Sequence, residues 1–240
     1  MSQKQIYLIP CHLSDTPKSD VLSSFNIDIL KNVSYYFVEN VRTARRFISS
    51  LKLGLSIDSL FFFELNKDTT SAEIKNFLNQ IPSNIEDIGI LSEAGCPGIA
   101  DPGAKLVAIA HQLHHKVIPI PGPSSLFLGL MGSGFNGQQF YFHGYLPIKQ
   151  DERVKAIRKL EDEANLKNIT QLFIETPFRN LSIFQELVNT LKPSTLLCIA
   201  SNLTSTDEFI VTKKASDWKN NIPLINKIPT IFLIGKYESE

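Results

Sequence analysis

The sequence has no excess of either charge: Lys plus Arg is 24 and Asp plus Glu is 24, so the formal net charge is zero. Dedicated nucleic-acid binders are usually basic, so contact with a polyanion would have to come from a local patch. Cysteine is scarce: Cys11, Cys96 and Cys198 stand far apart and form no C-x-x-C. An odd, sparse count excludes a disulfide framework and suits a reducing compartment. Cys11-His12 has no companion ligands at a recognisable spacing, so no metal is expected. The amino-terminal MSQKQIYLIPCHLSD carries only a short apolar run. It reads as neither signal peptide nor membrane span, and the expected location is cytoplasmic, without a membrane partner. Neither phosphate-binding fingerprint, G-x-G-x-x-G or G-x-x-x-x-G-K-[ST], is present. There is no internal repeat and no low-complexity tract.

Glycine is concentrated rather than scarce. Ten of the 12 glycines fall between Gly89 and Gly144. Glycine loses backbone entropy on folding, so such crowding points to backbone that turns sharply or lies close to a ligand. Ile88 to Leu91 reads as a short apolar strand, and Ser92 to Gly103 as a loop with Gly95, Pro97, Gly98, Pro102 and Gly103. Asp101 is placed to cap a helix that has Pro102 at its first position. Leu106, Val107, Ala110 and Leu113 then follow at helical spacing. Lys116 to Ile120 reads as the next strand, broken by Pro121-Gly122-Pro123, and Ser124-Ser125 opens a second apolar helix. Two strand–loop–helix units in succession put Gly/Pro loops at the carboxyl ends of strands, where open parallel sheets bind ligands. No Lys or Arg lies between Gly89 and Ala104, which suits an organic ligand held by backbone groups better than a polyphosphate.

Around this stretch the chain alternates strands and helices. Ile6 to Ile9, Val33 to Val38, Leu60 to Leu65, Gln171 to Glu175, Thr195 to Ala200, Phe209 to Val211 and Thr230 to Ile234 read as strands, with Leu60 to Leu65 buried. Arg42 to Leu51, Lys149 to Lys167 and a segment opened by Thr176-Pro177-Phe178-Arg179 read as helices, and Thr70-Ser71-Ala72-Glu73 has the capping-box pattern. Glu39 and Arg42 follow an apolar strand directly, where a cleft would lie; a surface ion pair is the other reading of these two. Glu175 also stands at a strand end, either at a site or capping the helix that follows. At 240 residues the chain can form one large or two small domains. The segment from Gly122 to Gly137 is the one plausible boundary, giving 1–121 and 122–240 as two α/β domains.

Three linked motifs then carry a resemblance. Ser92-Glu93-Ala94-Gly95-Cys96-Pro97 ends in Asp101-Pro102-Gly103. Pro119-Ile120-Pro121-Gly122-Pro123 follows, and then Phe142-His143-Gly144-Tyr145-Leu146-Pro147. In order and spacing they resemble the tetrapyrrole methylase superfamily of S-adenosylmethionine (SAM) enzymes, and within it most nearly the ribosomal RNA small subunit methyltransferase I family. Glu39 and Arg42 match that family's Glu-Asp-Thr-Arg run, with Asn40 and Val41 substituted. Glu175, Pro177 and Arg179 match its Tyr-Glu-Ser-Pro-His-Arg run, with Thr176 and Phe178 substituted. The chain departs at Leu13-Ser14-Asp15, where the family has a Gly-Asn pair. It departs again at Ser201-Asn202-Leu203-Thr204-Ser205, where the family has Arg-Glu-Leu-Thr-Lys, and at Ile228-Pro229, where it has Gly-Glu.

The resemblance implies two α/β domains of the tetrapyrrole methylase type with the ligand cleft between them, usually in a homodimer, with SAM as cofactor and no metal. Glu39, Arg42 and Glu175 are the implied catalytic residues. Pro10, Glu93, Ala94, Gly95, Cys96, Ser124, Ser125, Ile174 and Thr230 are the implied cofactor-binding residues. The implied acceptor is small-subunit ribosomal RNA, at a ribose 2′-oxygen. A tetrapyrrole-like small-molecule acceptor, or a SAM-binding paralogue that transfers nothing, would also fit the motifs. The missing Arg, Glu and Lys around Ser201 to Ser205 bear on that choice.

Overall fold

The computed structural model describes residues 3–18 and 21–237. The chain folds as two compact units: one holds residues up to His12 and Lys18–Pro123, the other holds Leu13–Pro17 and the residues from Ser124 on. No helix among the described residues is long and apolar enough to cross a membrane.

The first unit is a five-stranded sheet with helices on both faces. Its strands are β1 (Gln5–Ile9), β2 (Tyr35–Val38), β3 (Phe61–Glu64), β4 (Asp87–Leu91) and β5 (Lys116–Pro119), in the order β3-β2-β4-β1-β5. Every pairing is parallel, as a strand–helix alternation demands. Helices α1 (Ser24–Asn32) and α2 (Val41–Ser50) bury Ile29, Leu30, Ala44 and Ile48 on one face with Tyr36 and Val38. On the other face, α3 (Ser71–Gln80) and α4 (Gly103–Gln112) bury Ile74, Leu78, Leu106 and Ile109 with Phe37 and Ile90. The Thr70–Glu73 capping box forms as expected. The strand expected to be buried over Leu60–Leu65 is only partly so: Leu60 and Leu65 at its ends are buried, while Phe61 and Glu64 are exposed. As β3 it is the sheet's edge, with Phe61 53% exposed, because apolar residues at an edge have only one neighbouring strand to pack on.

The second unit carries α5 (Ser125–Ser133), β6 (Phe140–Tyr145), α6 (Gln150–Lys167), β7 (Thr170–Ile174), α7 (Asn180–Thr190), β8 (Leu196–Ser201), β9 (Phe209–Lys214), α8 (Ala215–Trp218) and β10 (Thr230–Gly235). Its sheet runs β6-β7-β10-β8-β9. Only β6 and β7 pair in parallel; the rest is antiparallel. The Thr176–Arg179 turn is a 3-10 segment (Pro177–Arg179) leading into α7. The buried core gathers Ile157, Leu160, Phe173, Phe184, Leu187, Trp218 and Phe232, each large apolar side chain contributing about 1.5–3 kcal/mol when fully buried. Gly144 adopts φ +64° at a bulge between Phe142 and Tyr145, which explains the glycine of the Phe142–Pro147 motif. Arg153, paired with the Glu186 carboxylate, donates to Pro147 and Ile148 carbonyls and fixes the motif's end. Leu13 joins this unit's core, and Pro17 bridges to Ser205.

Candidate functional site

The connections of the first sheet diverge at one place. The chain leaves β2 for β3 on one side and leaves β4 for β5 on the other, while β2 and β4 are neighbours. The α2 helix after β2 and the α4 helix after β4 lie on opposite faces. Such a reversal opens a crevice at the carboxyl edge. Register sharpens the point: Leu91 is level with both Val38 and Ile9. Pro10-Cys11, Glu39 and Ser92-Glu93 therefore emerge side by side.

The glycine loop is shaped from within. Gly95 and Gly98 take φ of +71° and +83°, which L side chains rarely adopt. Gly95 exchanges backbone hydrogen bonds with Cys11, at 2.9 and 3.2 Å. Asp101 does not cap its helix simply. One carboxylate oxygen accepts from Gly98 N–H at 2.8 Å and from Gly103 N–H at 2.7 Å, so it staples the loop to the first turn of α4. Among the described residues, the amides of Ala94 and Cys96 make no hydrogen bond within the chain. The Cys96 thiol lies 3.4 Å from the Pro123 carbonyl.

Acid dominates this edge. Glu39 is half-buried, and its carboxyl is pushed above the usual range, first by burial and then by Glu93 and Asp101. Thr43 Oγ1 lies 2.5 Å from Glu93 Oε1 and ties the loop to α2. Asn40 caps α2 by accepting from Arg42 and Thr43 N–H, a role for which Asn and Asp are about equal. Arg42 is exposed, and no ion pair joins it to Glu39 among the described residues. Thr43 belongs to none of the sequence motifs; its signal is its place in the first turn of a helix that starts beside Glu39. Burial pushes the Cys11 and Cys96 thiols up, so neither is primed as a nucleophile.

In the second unit, β7 and β10 are antiparallel with Ile174 level with Ile231, and Thr230 is level with Ser201. Ile174, Glu175, Thr230 and Ser201 thus share one edge. Glu175 is buried; its Oε1 accepts from Thr176 N–H at 2.8 Å and its Oε2 lies 3.2 Å from Arg179 Nη2. It holds the Thr176–Arg179 turn but does not cap α7, whose N-cap is Arg179. Ser124 is the N-cap of α5 and its side chain makes no capping bond, which leaves amides of that first turn for an outside acceptor. Ser201 and Ser205 are buried and bring no charge to the edge.

Among solved structures, the chain is similar to cobalt precorrin-4 methyltransferase CbiF, a cobalamin biosynthetic enzyme, at TM-score 0.60 and 13% identity, covering 96% of this chain and 94% of that one. It is also similar to the methyltransferase CobJ, at TM-score 0.62 and 14% identity, covering 98% and 95%. The fold is the two-sheet α/β fold of these tetrapyrrole methyltransferases. In sequence the chain resembles proteins named ribosomal RNA small subunit methyltransferase I. That of Buchnera aphidicola subsp. Baizongia pistaciae is 27% identical over 205 residues, 85% of this chain and 66% of that protein. That of Micromonospora olivasterospora is 30% identical, over 85% and 60%. That of Escherichia coli O157:H7 is 25% identical over 209 residues, 87% and 68%. The resemblance read from the motifs is borne out. The chain spans about 60–66% of the length of the first two relatives, and no family model matches it.

Proposed function

We propose that the protein is a SAM-dependent methyltransferase acting on RNA, with a ribose 2′-hydroxyl of small-subunit ribosomal RNA as acceptor. The observation that carries this reading is the first unit's edge: a stapled glycine loop with unengaged amides lies beside a carboxylate that resists ionisation. The relatives named above favour ribosomal RNA over a tetrapyrrole, because the tetrapyrrole enzymes share the fold at 13–14% identity and the sequence likeness is to the RNA enzymes.

The residues present fit the cofactor. SAM supplies a methyl group on a sulfonium, a cation that the acidic edge of Glu39, Glu93 and Asp101 suits. The Ala94 and Cys96 amides, turned by Gly95, are the proposed donors to its polar groups, with Pro10 as wall. In the second unit, the Ser124–Ser125 helix start is a proposed partner for a carboxylate, and Ile174 and Thr230, at the β7–β10 sheet edge, are further proposed contacts. Glu39 is the proposed proton acceptor for the hydroxyl, since a carboxylate with a raised pKa is a better base near neutrality. Arg42 is the proposed contact to acceptor phosphate. Glu175, engaged with Thr176 and Arg179, positions that turn. Among the described residues no group of His, Cys, Asp or Glu could hold a metal ion, and none enters the proposal. A homodimer, a cytoplasmic location and a division into domains 1–121 and 122–240 belong to the same proposal. Nucleoside mass spectrometry of small-subunit ribosomal RNA from a deletion strain tests it: one ribose-methylated nucleoside should disappear, and unchanged RNA would sink the reading.

A further inference from the structure

The net charge of zero hides one place where a single sign is concentrated. Of six arginines in the chain, Arg42, Arg45 and Arg46 lie on the ten residues of α2. At 3.6 residues per turn, these three and Ser49 fall within about 100° of arc. All four are exposed, while Ala44 and Ile48 on the other side are buried. The helix contains no Asp or Glu.

This arrangement works against the helix that bears it. Arg42 sits in the first turn, where the macrodipole favours acid. It is three and four residues from Arg45 and Arg46, spacings at which like charges repel. An ordinary solvated helix mixes signs, as α6 does with Asp151, Glu152, Lys155, Arg158, Lys159 and Asp162. Local stability therefore does not account for α2, whereas an external polyanion does. The guanidinium forks also suit phosphate bidentately, better than lysines would. Arg45 is partly preset: its Nη2 is 3.4 Å from Asp58 Oδ1 and its guanidinium is 5.8 Å from the Phe62 ring centre. Asp58 is 95% exposed, so exchanging it for phosphate costs little. Arg46 forms no ion pair among the described residues. The stripe begins immediately after Glu39 and the Asn40 cap, so a strand lying along α2 runs toward the proposed proton acceptor.

We propose that the arginine face of α2 is a docking surface for the phosphate backbone of the acceptor RNA, with Arg45 and Arg46 extending it beyond Arg42. This rests on the RNA methyltransferase reading. The test is fluorescence anisotropy with a labelled small-subunit ribosomal RNA transcript, over a range of salt. It compares wild type, Arg45→Gln/Arg46→Gln, Arg45→Lys/Arg46→Lys and, as a charge-matched control on α6, Lys155→Gln/Lys159→Gln. SAM calorimetry and melting run alongside. The Gln pair should bind RNA about ten-fold more weakly at low salt and lower the salt slope by about 1.4, the share of two phosphate contacts to a single strand. The Lys pair should keep most of the slope, the α6 control should match wild type, and SAM affinity should not change. If wild type binds RNA with a salt-dependent affinity but the Gln pair has the same slope, or the α6 control loses as much, the surface is wrong and the RNA reading stands. If wild type shows no salt-dependent binding, the RNA reading fails and takes this surface with it.

Discussion

Glu39 is kept where its charge is unwelcome. Its folded pKa lies above the ordinary value of 4.5. The stability it gives in the protonated form is therefore full below that value and lost as pH rises through the folded pKa. Glu39→Gln, which keeps the shape and removes the charge, should melt at or above wild type at pH 7, and the difference should vanish near pH 4. Transfer should fall about ten- to a thousand-fold while SAM affinity holds, the scale of losing a proton acceptor. A normal rate with unchanged melting would remove Glu39 from the mechanism. Asp101 separates loop shape from charge. Asp101→Ala frees the Gly98 and Gly103 amides and should weaken SAM binding more than ten-fold, whereas Asp101→Asn, which can still accept both bonds, should stay within a few fold. Equal affinities by calorimetry would mean that the loop does not hold the cofactor. Gly95→Val is a blunter probe, because φ of +71° strains any β-branched residue there before a ligand is considered.

Close approach between elements decides the strand ends. At Gly122 an added Cβ would lie 2.3 Å from both Cβ and Cγ of Pro10, a rigid ring beside β1. Gly122→Ala should therefore destabilise by roughly 1–3 kcal/mol, the usual cost of overpacking, read as a lower denaturant midpoint. A midpoint at or above wild type would contradict the packing described. This glycine was legible as part of a Pro-Gly-Pro turn, but its partner was not, since Pro10 is remote in sequence. The same limit applies elsewhere. The Thr70–Glu73 box is local chemistry and was legible. Helix α1 carries no such signature in the sequence, because its box is closed by Asn26 instead of Glu or Gln. Leu60–Leu65 gave its strand but not its place at the edge, because an apolar run does not say how many neighbours it has. Glu39 was found from its position after a strand. Thr43, which reaches Glu93 across fifty residues, and the double bond of Asp101 to Gly98 and Gly103 depend on how the loops fold back.

At the scale of the molecule, the fold is that of tetrapyrrole methyltransferases and the sequence likeness is to ribosomal RNA methyltransferases. Alternating strands and helices, together with three motifs between Ser92 and Pro147, were enough to read the two α/β halves. The switch between β2 and β4 was not readable, because strand order is a property of the assembled sheet. The proposed reaction is methyl transfer to a ribose of small-subunit ribosomal RNA. The most direct measurement incubates the purified protein with isotope-labelled SAM and small-subunit ribosomal RNA from a deletion strain, then digests the RNA to nucleosides for mass spectrometry. Label is expected in one ribose-methylated nucleoside, lost with Glu39→Gln. Label on a base, or no label above the heat-inactivated protein, would contradict it.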